Sequence, residues 1–317
     1  MTEKILVTGI VPREGLDKLF DRFDVTYSAE KPFTRDFVLE HGHEYDGMIL
    51  MAQKGDRELI DACSNLKVIS VNGVGYDHVD VEYAKQKGIV VSNSPREVRI
   101  PTAEFTMTLM LAAVKRLHFY DGIVRRGDWI DPSERKYQGR TLNGLTLGVF
   151  GMGRIGKTVA KYAQAFGMKV IYNNDCPLGE EFDRENNCEY VDFDELLKRS
   201  DVVTIHAPEL PSTHGVFNAE AFAKMKNDAY LINAARGPIV QEKALVDALE
   251  SGQIAGAGLD VFEFEPKVSE KLRSLPNVVL SPHAGTGTIE ARIGLAAEAA
   301  DNLISFFDGK PINVVNK

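Results

Sequence analysis

The sequence predicts an α/β protein built on parallel, doubly wound sheets. Short apolar or β-branched runs alternate with longer amphipathic stretches along the whole 317-residue chain, the pattern of repeated strand–helix–strand units. A glycine-rich turn over residues 151–156 directly follows one of these apolar runs. Polar residues follow several of the others, at the strand ends where open parallel sheets bind ligands. We therefore expect a ligand site beyond these strand ends.

The first hundred residues predict one small domain. Residues 102–126 then carry apolar side chains at helical spacing, which predicts a helix long enough to link two domains. A loop follows over 127–143. The candidate strands of the small domain are 5–8, 25–27, 47–50, 67–71 and 89–92, with helical segments such as 15–20 and 56–62 between them.

A second alternation begins at Leu145 and predicts the larger domain. Residues 288–307, beyond its last strand, predict a helix that could pack back onto the first domain. We therefore assign 101–285 to a dinucleotide-binding Rossmann domain, and 1–100 plus 286–317 to a substrate-binding domain. The candidate strands are 146–150, 170–173, 202–205, 229–233, 255–259 and 278–281, six in all, with helices over 153–166, 193–200 and 241–250.

Charge and cysteine content exclude several classes of protein. Lys plus Arg number 37 and Asp plus Glu number 46, so the formal net charge is −9, the wrong sign for a main partner that is nucleic acid or anionic membrane. The three cysteines form no CxxC pair, which argues against a disulfide framework or a zinc site. The N-terminus lacks the apolar segment of a signal peptide. We expect a cytoplasmic protein that binds no metal.

The glycine turn reads Gly151-Met152-Gly153-Arg154-Ile155-Gly156 and lies between a predicted strand and a predicted helix. The first glycine allows the tight turn, the second lets the backbone approach a pyrophosphate, and the third lets helix and strand pack closely. The helix N-terminus adds amide donors and a partial positive charge. This context predicts a dinucleotide site.

The end of the next strand bears on the choice between NAD and NADP. An NAD site usually has Asp or Glu there to bind the ribose hydroxyls, whereas this chain has Asn174 followed by Asp175. Asn174 can hydrogen-bond a ribose but lacks the charge that repels a 2′-phosphate. Asp175 would disfavour that phosphate, and no Arg or Lys follows directly. We expect NAD, and NADP is left open.

Three further strand ends carry groups suited to reducing a 2-keto acid. Arg236 can hold a carboxylate in a fixed fork and polarise the adjacent carbonyl. His283 can donate a proton to the oxygen that becomes an alcohol, and a carboxylate such as Glu265 would keep it charged. Each residue alone is more often a surface or core group, but their combination with a phosphate loop favours a site. His206 and Pro208 lie on the same rim and fit either an adenosine wall or ordinary packing.

Seven segments together resemble the D-isomer-specific 2-hydroxyacid dehydrogenases over nearly the whole chain. Several ordered motifs at family spacing are far more specific than any one of them. The resembling segments are Asn72-Gly73-Val74-Gly75-Tyr76-Asp77-His78-Val79-Asp80, Ala103-Glu104-Phe105-Thr106, Arg126-Gly127-Asp128-Trp129, the glycine turn, Asn233-Ala234-Ala235-Arg236-Gly237, residues 256–262 with Glu265-Pro266, and Ser281-Pro282-His283-Ala284-Gly285.

The resemblance implies a catalytic set of Arg236, Glu265 and His283. It also implies that backbone at Val74 and Gly75 meets the substrate carboxylate, and that Arg236 and His283 bind the substrate with them. Asp260 would meet the nicotinamide amide, and Thr106 would lie near the cofactor. Besides the glycine turn and the ribose positions, the implied cofactor contacts are Thr106, His206, Ala207, Pro208, Thr213, Ala234, Ala235, Arg236, Asp260, His283 and Gly285.

The activity implied by the resemblance is reversible, NAD(P)-dependent reduction of a small 2-keto acid to the D-2-hydroxy acid. Glyoxylate and hydroxypyruvate reductases are the most similar members. The family implies two Rossmann-like domains with a cleft between them, the first of them a flavodoxin-like substrate domain, and a homodimer. Lactate-type, sugar-acid and short phosphoglycerate dehydrogenases share most of the motifs. The family also includes a corepressor that uses the dinucleotide fold as a scaffold for partner proteins. The alternative to an enzyme is therefore an NAD-sensing binding protein without significant turnover.

Overall fold

Twelve strands form two parallel sheets within residues 2–317, the part of the chain that the computed structural model describes. The strands are β1 Lys4–Val7, β2 Asp24–Thr26, β3 Gly47–Leu50, β4 Val68–Val71, β5 Val90–Ser92, β6 Thr146–Phe150, β7 Lys169–Asn173, β8 Cys188–Tyr190, β9 Val202–Ile205, β10 Tyr230–Asn233, β11 Gly256–Leu259 and β12 Val278–Leu280.

The same residues contain thirteen α-helices and four short 3₁₀ turns, of which the turn over Gly237–Ile239 bears on the site. No helix among residues 2–317 combines the length and the apolar character needed to cross a bilayer. The helices are α1 Asp17–Phe20, α2 Arg35–His41, α3 Arg57–Ala62, α4 Val81–Gln86, α5 Arg99–Val114, α6 Leu117–Arg125, α7 Arg154–Ala165, α8 Glu180–Glu185, α9 Phe193–Arg199, α10 Ala219–Lys224, α11 Glu242–Glu250, α12 Glu270–Ser274 and α13 Ile289–Phe307.

The first of two compact units consists of Met1–Pro101 and Thr286–Lys317. Its five strands have the order β2-β1-β3-β4-β5, which is the flavodoxin-like order. Strand residues alternate between two apolar layers, as the pleat requires: Leu6 belongs to one layer, and Ile5 and Val7 belong to the other. The α13 helix contributes Ala296, Ala299 and Leu303 to the second layer.

The second unit, Thr102–Gly285, has a seven-stranded sheet in the order β12-β11-β10-β9-β6-β7-β8. Its first six strands in chain order have the Rossmann arrangement, with β12 added beyond β11. The six predicted strands are confirmed, but the count of six is wrong because β8 was not predicted. This edge strand has only three residues and none of them is fully buried, so it lacks the apolar run that identifies a buried strand.

The single linking helix predicted over 102–126 is also wrong, because α5 ends at Val114 and α6 begins at Leu117. The carbonyl of Val114 accepts a hydrogen bond from the N–H of Arg140 instead of continuing the helix. Arg116 then adopts a left-handed conformation with φ of 56°. A contact between residues 26 positions apart (140 − 114) therefore ends the helix, and no local periodicity signals it.

Candidate active site

The glycine turn joins β6 to α7 with each glycine in a different environment. A Cβ on Gly151, whose φ is +100°, would lie 2.4 Å from the backbone nitrogen of Ala207, and one on Gly156 would lie 2.3 Å from the carbonyl oxygen of Gly151. A Cβ on Gly153 would meet nothing within 4 Å. Gly151 and Gly156 are therefore needed for packing, whereas Gly153 leaves open space beside the first amides of α7, which fits a pyrophosphate.

Asn174, just after β7, is fixed in orientation by the glycine turn. Its Oδ1 accepts a 2.7 Å hydrogen bond from the N–H of Met152, so its amide nitrogen is the group left to donate. Asp175 is exposed beside it, and Arg154 is exposed at the start of α7. Because Asn174 has no charge, the site presents a neutral donor where a carboxylate would discriminate against a 2′-phosphate.

The segment after β9 brings together His206, Ala207, Pro208 and Thr213. Burial lowers the pKa of His206 to about 3, so the ring is neutral, and its Nε2 lies 2.9 Å from Thr204 Oγ1. Thr213 Oγ1 donates to the carbonyl of Pro208 at 2.7 Å and closes the turn. These four residues are uncharged, as a wall against an adenosine would need.

Arg236 follows β10 on a turn that Asn233 shapes. The buried Asn233 side chain accepts from the N–H of Ala235 and donates to the carbonyl of Arg236, both at 3.0 Å. Arg236 is partly buried, and its Nη1 donates to the carbonyl of Ala235 at 2.7 Å. Gly237 lies directly against the backbone of Phe262, because a Cβ there would be 1.8 Å from the Phe262 oxygen. The turns after β10 and β11 are therefore in backbone contact.

His283 Nδ1 lies 3.0 Å from Glu265 Oε2, and the other oxygen of Glu265 accepts from the N–H of Phe262 at 3.0 Å. The hydrogen bond that His283 donates to Glu265 raises the pKa of His283 despite its partial burial. Burial alone would raise the pKa of Glu265, but the bonds from His283 and Phe262 outweigh it and lower that pKa. The pair therefore favours a charged imidazole whose Nε2 is available to another group.

The backbone at His283 is held in the left-handed region, with φ of 54°, a conformation that costs a non-glycine residue about 1–2 kcal/mol. Asp260, only 1% exposed, holds this turn. Its carboxylate accepts from Ser281 Oγ, Ala284 N–H and Gly285 N–H at 2.7–2.8 Å. No motif or periodicity in the chain indicates these hydrogen bonds. Whether Asp260 also meets a nicotinamide stays a prediction.

A cavity of about 540 Å³ within the second unit opens beside the His283–Glu265 pair. Most of its lining is apolar, and its charged side chains are Glu265, Arg273 and His283. The lining residues are Phe262, Glu265, Pro266, Val268, Arg273, Leu280, Ser281, Pro282 and His283.

The remaining predicted site residues are placed as follows. Thr106 is fully buried in α5, where its hydroxyl donates to the carbonyl of Thr102 at 2.8 Å. Val74 and Gly75 belong to the first unit, and the carbonyl of Val74 accepts from Asn93 at 2.8 Å. Their predicted roles stay predictions. No group of three His, Cys, Asp or Glu side chains within residues 2–317 is arranged to hold a metal.

Comparison with known proteins gives a consistent result. The family model for "D-isomer specific 2-hydroxyacid dehydrogenase, NAD binding domain" matches residues 107–285. A Staphylococcus haemolyticus protein designated a 2-hydroxyacid dehydrogenase is 41% identical over 318 residues, covering 99% of this chain and 100% of that protein.

Two solved structures are similar over almost their full length. A glyoxylate reductase from Paecilomyes thermophila has a TM-score of 0.89 and 34% identity, covering 99% of this chain and 98% of that chain. An NADPH-dependent glyoxylate/hydroxypyruvate reductase from Sinorhizobium meliloti, solved with NADP and malonate, has a TM-score of 0.87 and 32% identity. That comparison covers 99% of this chain and 97% of the other.

Proposed function

Because the chain belongs to the D-isomer-specific 2-hydroxyacid dehydrogenase family, and is therefore an NAD(P)-dependent oxidoreductase, we propose that it reversibly reduces a small 2-keto acid, such as glyoxylate or hydroxypyruvate, to the D-2-hydroxy acid. The hydrogen bond between His283 and Glu265 carries this proposal. It supplies a charged imidazole at the strand ends where this fold class binds its ligands.

His283 is the proposed proton donor. Its Nδ1 is directed to Glu265, so Nε2 can give a proton to the carbonyl oxygen of the substrate during reduction and take it back from the alcohol during oxidation. Glu265 accepts a hydrogen bond from the Nδ1–H of His283, fixes the ring orientation and favours the charged form of the imidazole.

Arg236 is the proposed anchor of the substrate carboxylate. A guanidinium presents two parallel donors to a carboxylate, and its charge polarises the adjacent carbonyl. Val74 and Gly75 are proposed to add backbone donors. Within residues 2–317 neither of these N–H groups has a hydrogen-bond partner, so both are available to an anion.

We propose NAD as the cofactor. The bound dinucleotide supplies or accepts the hydride, and the open space at Gly153 and the amides of α7 would hold its pyrophosphate. Asn174 would donate to the adenosine ribose, and the exposed Asp175 favours NAD over NADP. The neutral Asn174 is the feature that leaves NADP as the alternative.

The cavity beside the catalytic pair favours a second class of substrate. Glyoxylate has no side chain and hydroxypyruvate has one hydroxymethyl group, so neither would fill about 540 Å³. The apolar lining from Phe262, Val268 and Leu280 suits a longer apolar 2-keto acid. Such acids therefore belong in any test of the substrate.

The test is absorbance at the reduced-nicotinamide band, with NADH and NADPH each crossed against glyoxylate, hydroxypyruvate, pyruvate and a longer apolar 2-keto acid. We expect turnover with at least one acid. The rank order of kcat/KM among the acids then shows which 2-keto acid side chain the enzyme prefers. His283→Ala should lower turnover by ~10² to 10⁴ and keep dinucleotide binding. Dinucleotide binding without turnover across a wide panel of 2-keto acids would contradict the proposed reduction and support the NAD-sensing binding protein.

We also propose that the protein is a homodimer. Three apolar side chains on and just after α6 are exposed, Leu117, Val124 and Trp129, the last to 86%. Leu117 and Val124 are seven positions apart and so lie on the same face of α6, and exposed apolar side chains grouped on one face are typical of an interaction surface. Light scattering on the purified protein should give twice the 35.1 kDa mass of the chain. A monomer at micromolar concentration would refute this part of the proposal.

A further inference from the structure

The loop that carries Glu265 is hydrogen-bonded to Glu242 through one residue before Glu265 and one residue after it. Before Glu265, the carboxylate of Glu263 accepts a 2.7 Å hydrogen bond from the N–H of Glu242. After it, the N–H of Ser269 donates to Glu242 Oε1 at 3.1 Å. Residues 263–269 therefore form a seven-residue span with both ends attached to the first residue of α11.

Glu242 is also the continuation of the segment that carries Arg236. The chain runs from Arg236 through the 3₁₀ turn Gly237–Ile239 and reaches α11 within six residues. Gly237 in this segment already lies against the backbone of Phe262, immediately before the span. Glu242 thus joins two elements that each present one of the proposed catalytic groups.

The burial of the Glu242 side chain is energetically unfavourable for a carboxylate. Glu242 is only 7% exposed, and its Oε2 has no hydrogen-bond partner among residues 2–317. Burying a carboxylate carries a desolvation cost that an apolar side chain at the same place would avoid. The partial positive charge at the N-terminus of α11 offsets only part of that cost for Glu242, the first residue of the helix. Stability alone does not account for an acid at position 242.

We propose that Glu242 and Glu263 are positioning residues, which together hold Glu265 against His283 and fix both with respect to the segment of Arg236. The proposal rests on the proposed function, because the pair it positions is the proposed proton donor and its partner. Neither residue touches the reacting atoms.

The expected consequence lies in the charge of His283. When the span loses an attachment, Glu265 spends less time within hydrogen-bonding distance of His283, and the imidazole is less well held in its charged form. The charged groups that face His283 are Glu265, Arg236 and Asp260. Variants at 242 and 263 keep all three of these residues. A change in the pH at which His283 titrates therefore reports a change in how they are positioned around it.

The kinetic test compares Glu242→Ala with Glu242→Gln. Alanine removes the acceptor for Ser269, and we expect kcat for 2-keto acid reduction to fall about 10-fold or more. The alkaline limb of the pH profile should move to lower pH, while the affinity for the reduced dinucleotide stays at the wild-type value. Glutamine retains an amide oxygen that accepts from Ser269, so it should restore both kcat and the profile. Glu263→Ala cuts the other attachment and carries the same expectation if Glu242→Ala does not fold.

The control for general loosening is Leu197→Ala. Leu197 is fully buried in α9 of the same unit, so the variant should lower the melting temperature without moving the pH profile. A wild-type profile in Glu242→Ala would overturn the proposal. So would an equal shift in Leu197→Ala, or a Glu242→Gln variant as impaired as the alanine.

A second measurement separates this proposal from the proposed function. Histidine-labelled protein is titrated by NMR, with the His283 resonance assigned from its loss in His283→Ala. We expect His283 in Glu242→Ala and Glu263→Ala to titrate at lower pH than in the wild type. That result without turnover on any 2-keto acid would refute the function and support the positioning. Turnover with an unmoved His283 titration would do the reverse.

Discussion

His283 Nδ1 and Glu265 Oε2 lie 3.0 Å apart, and each side chain shifts the pKa of the other in the direction that favours the charged form, upward for His283 and downward for Glu265. The hydrogen bond to Glu265 raises the pKa of His283, so its contribution to stability is full below the unfolded value of about 6.5 and is lost as pH rises through the folded-state pKa. The lowered pKa of Glu265 gives a contribution that is full above about 4.5 and is lost as pH falls. The pair is therefore fully charged between these two limits.

Glu265→Gln should separate the charge of this residue from its shape. The amide can still contact Nδ1, but without the negative charge His283 loses its proton at lower pH. We expect kcat for 2-keto acid reduction to fall about 10- to 100-fold, with the alkaline limb of its pH profile at lower pH than in the wild type. Steady-state rates across pH 5–10 measure both effects. An unmoved limb would remove Glu265 from its proposed role.

Arg236→Lys should damage activity although it retains the positive charge. An ammonium cannot form two parallel hydrogen bonds to a carboxylate, and it places its charge at a different position from the guanidinium. We expect kcat/KM for the 2-keto acid to fall at least about 10-fold, with dinucleotide affinity retained. Initial rates over a range of substrate concentrations give the two constants. Wild-type kcat and KM in Arg236→Lys would refute the role of Arg236 as the anchor of the substrate carboxylate.

The sequence predicted the parts of the site that short segments define. The glycine turn, the strand ends at Arg236 and His283, and eleven of the twelve strands were recognisable from motif and apolar patterning. The clamp of Asp260 on Ser281, Ala284 and Gly285, and the attachment of Ser269 to Glu242, were not. The Asp260 and Glu242 carboxylates each accept hydrogen bonds from residues more than 20 positions away. Contacts of this kind leave no periodicity in the chain. The helix break at Val114 escaped prediction for the same reason.

Asn174→Asp should change the choice between cofactors. A carboxylate at this position can still accept from the N–H of Met152, but it adds a negative charge where a 2′-phosphate would lie. We expect the ratio of kcat/KM for NADPH to that for NADH to fall about 10- to 100-fold, as a repulsion of 1.4–2.8 kcal/mol implies. Asn174→Ala removes the hydrogen bond without adding charge and serves as the control. An unchanged ratio in the aspartate variant would place the discrimination elsewhere.

Alanine substitution in the glycine turn should separate folding from binding. In Gly151→Ala and Gly156→Ala the new Cβ would lie within 2.4 Å of backbone atoms, so we expect both to lower the melting temperature by several degrees. Gly153 has an extended backbone with φ of −80°, and its Cβ would meet no protein atom within 4 Å. Gly153→Ala should therefore melt at the wild-type temperature or slightly above it. Its methyl group would nevertheless occupy the space proposed for the pyrophosphate, so the affinity for NADH should fall at least about 10-fold. Thermal melts and fluorescence titration with NADH measure the two properties, and wild-type NADH affinity in Gly153→Ala would show that the pyrophosphate does not bind at this turn.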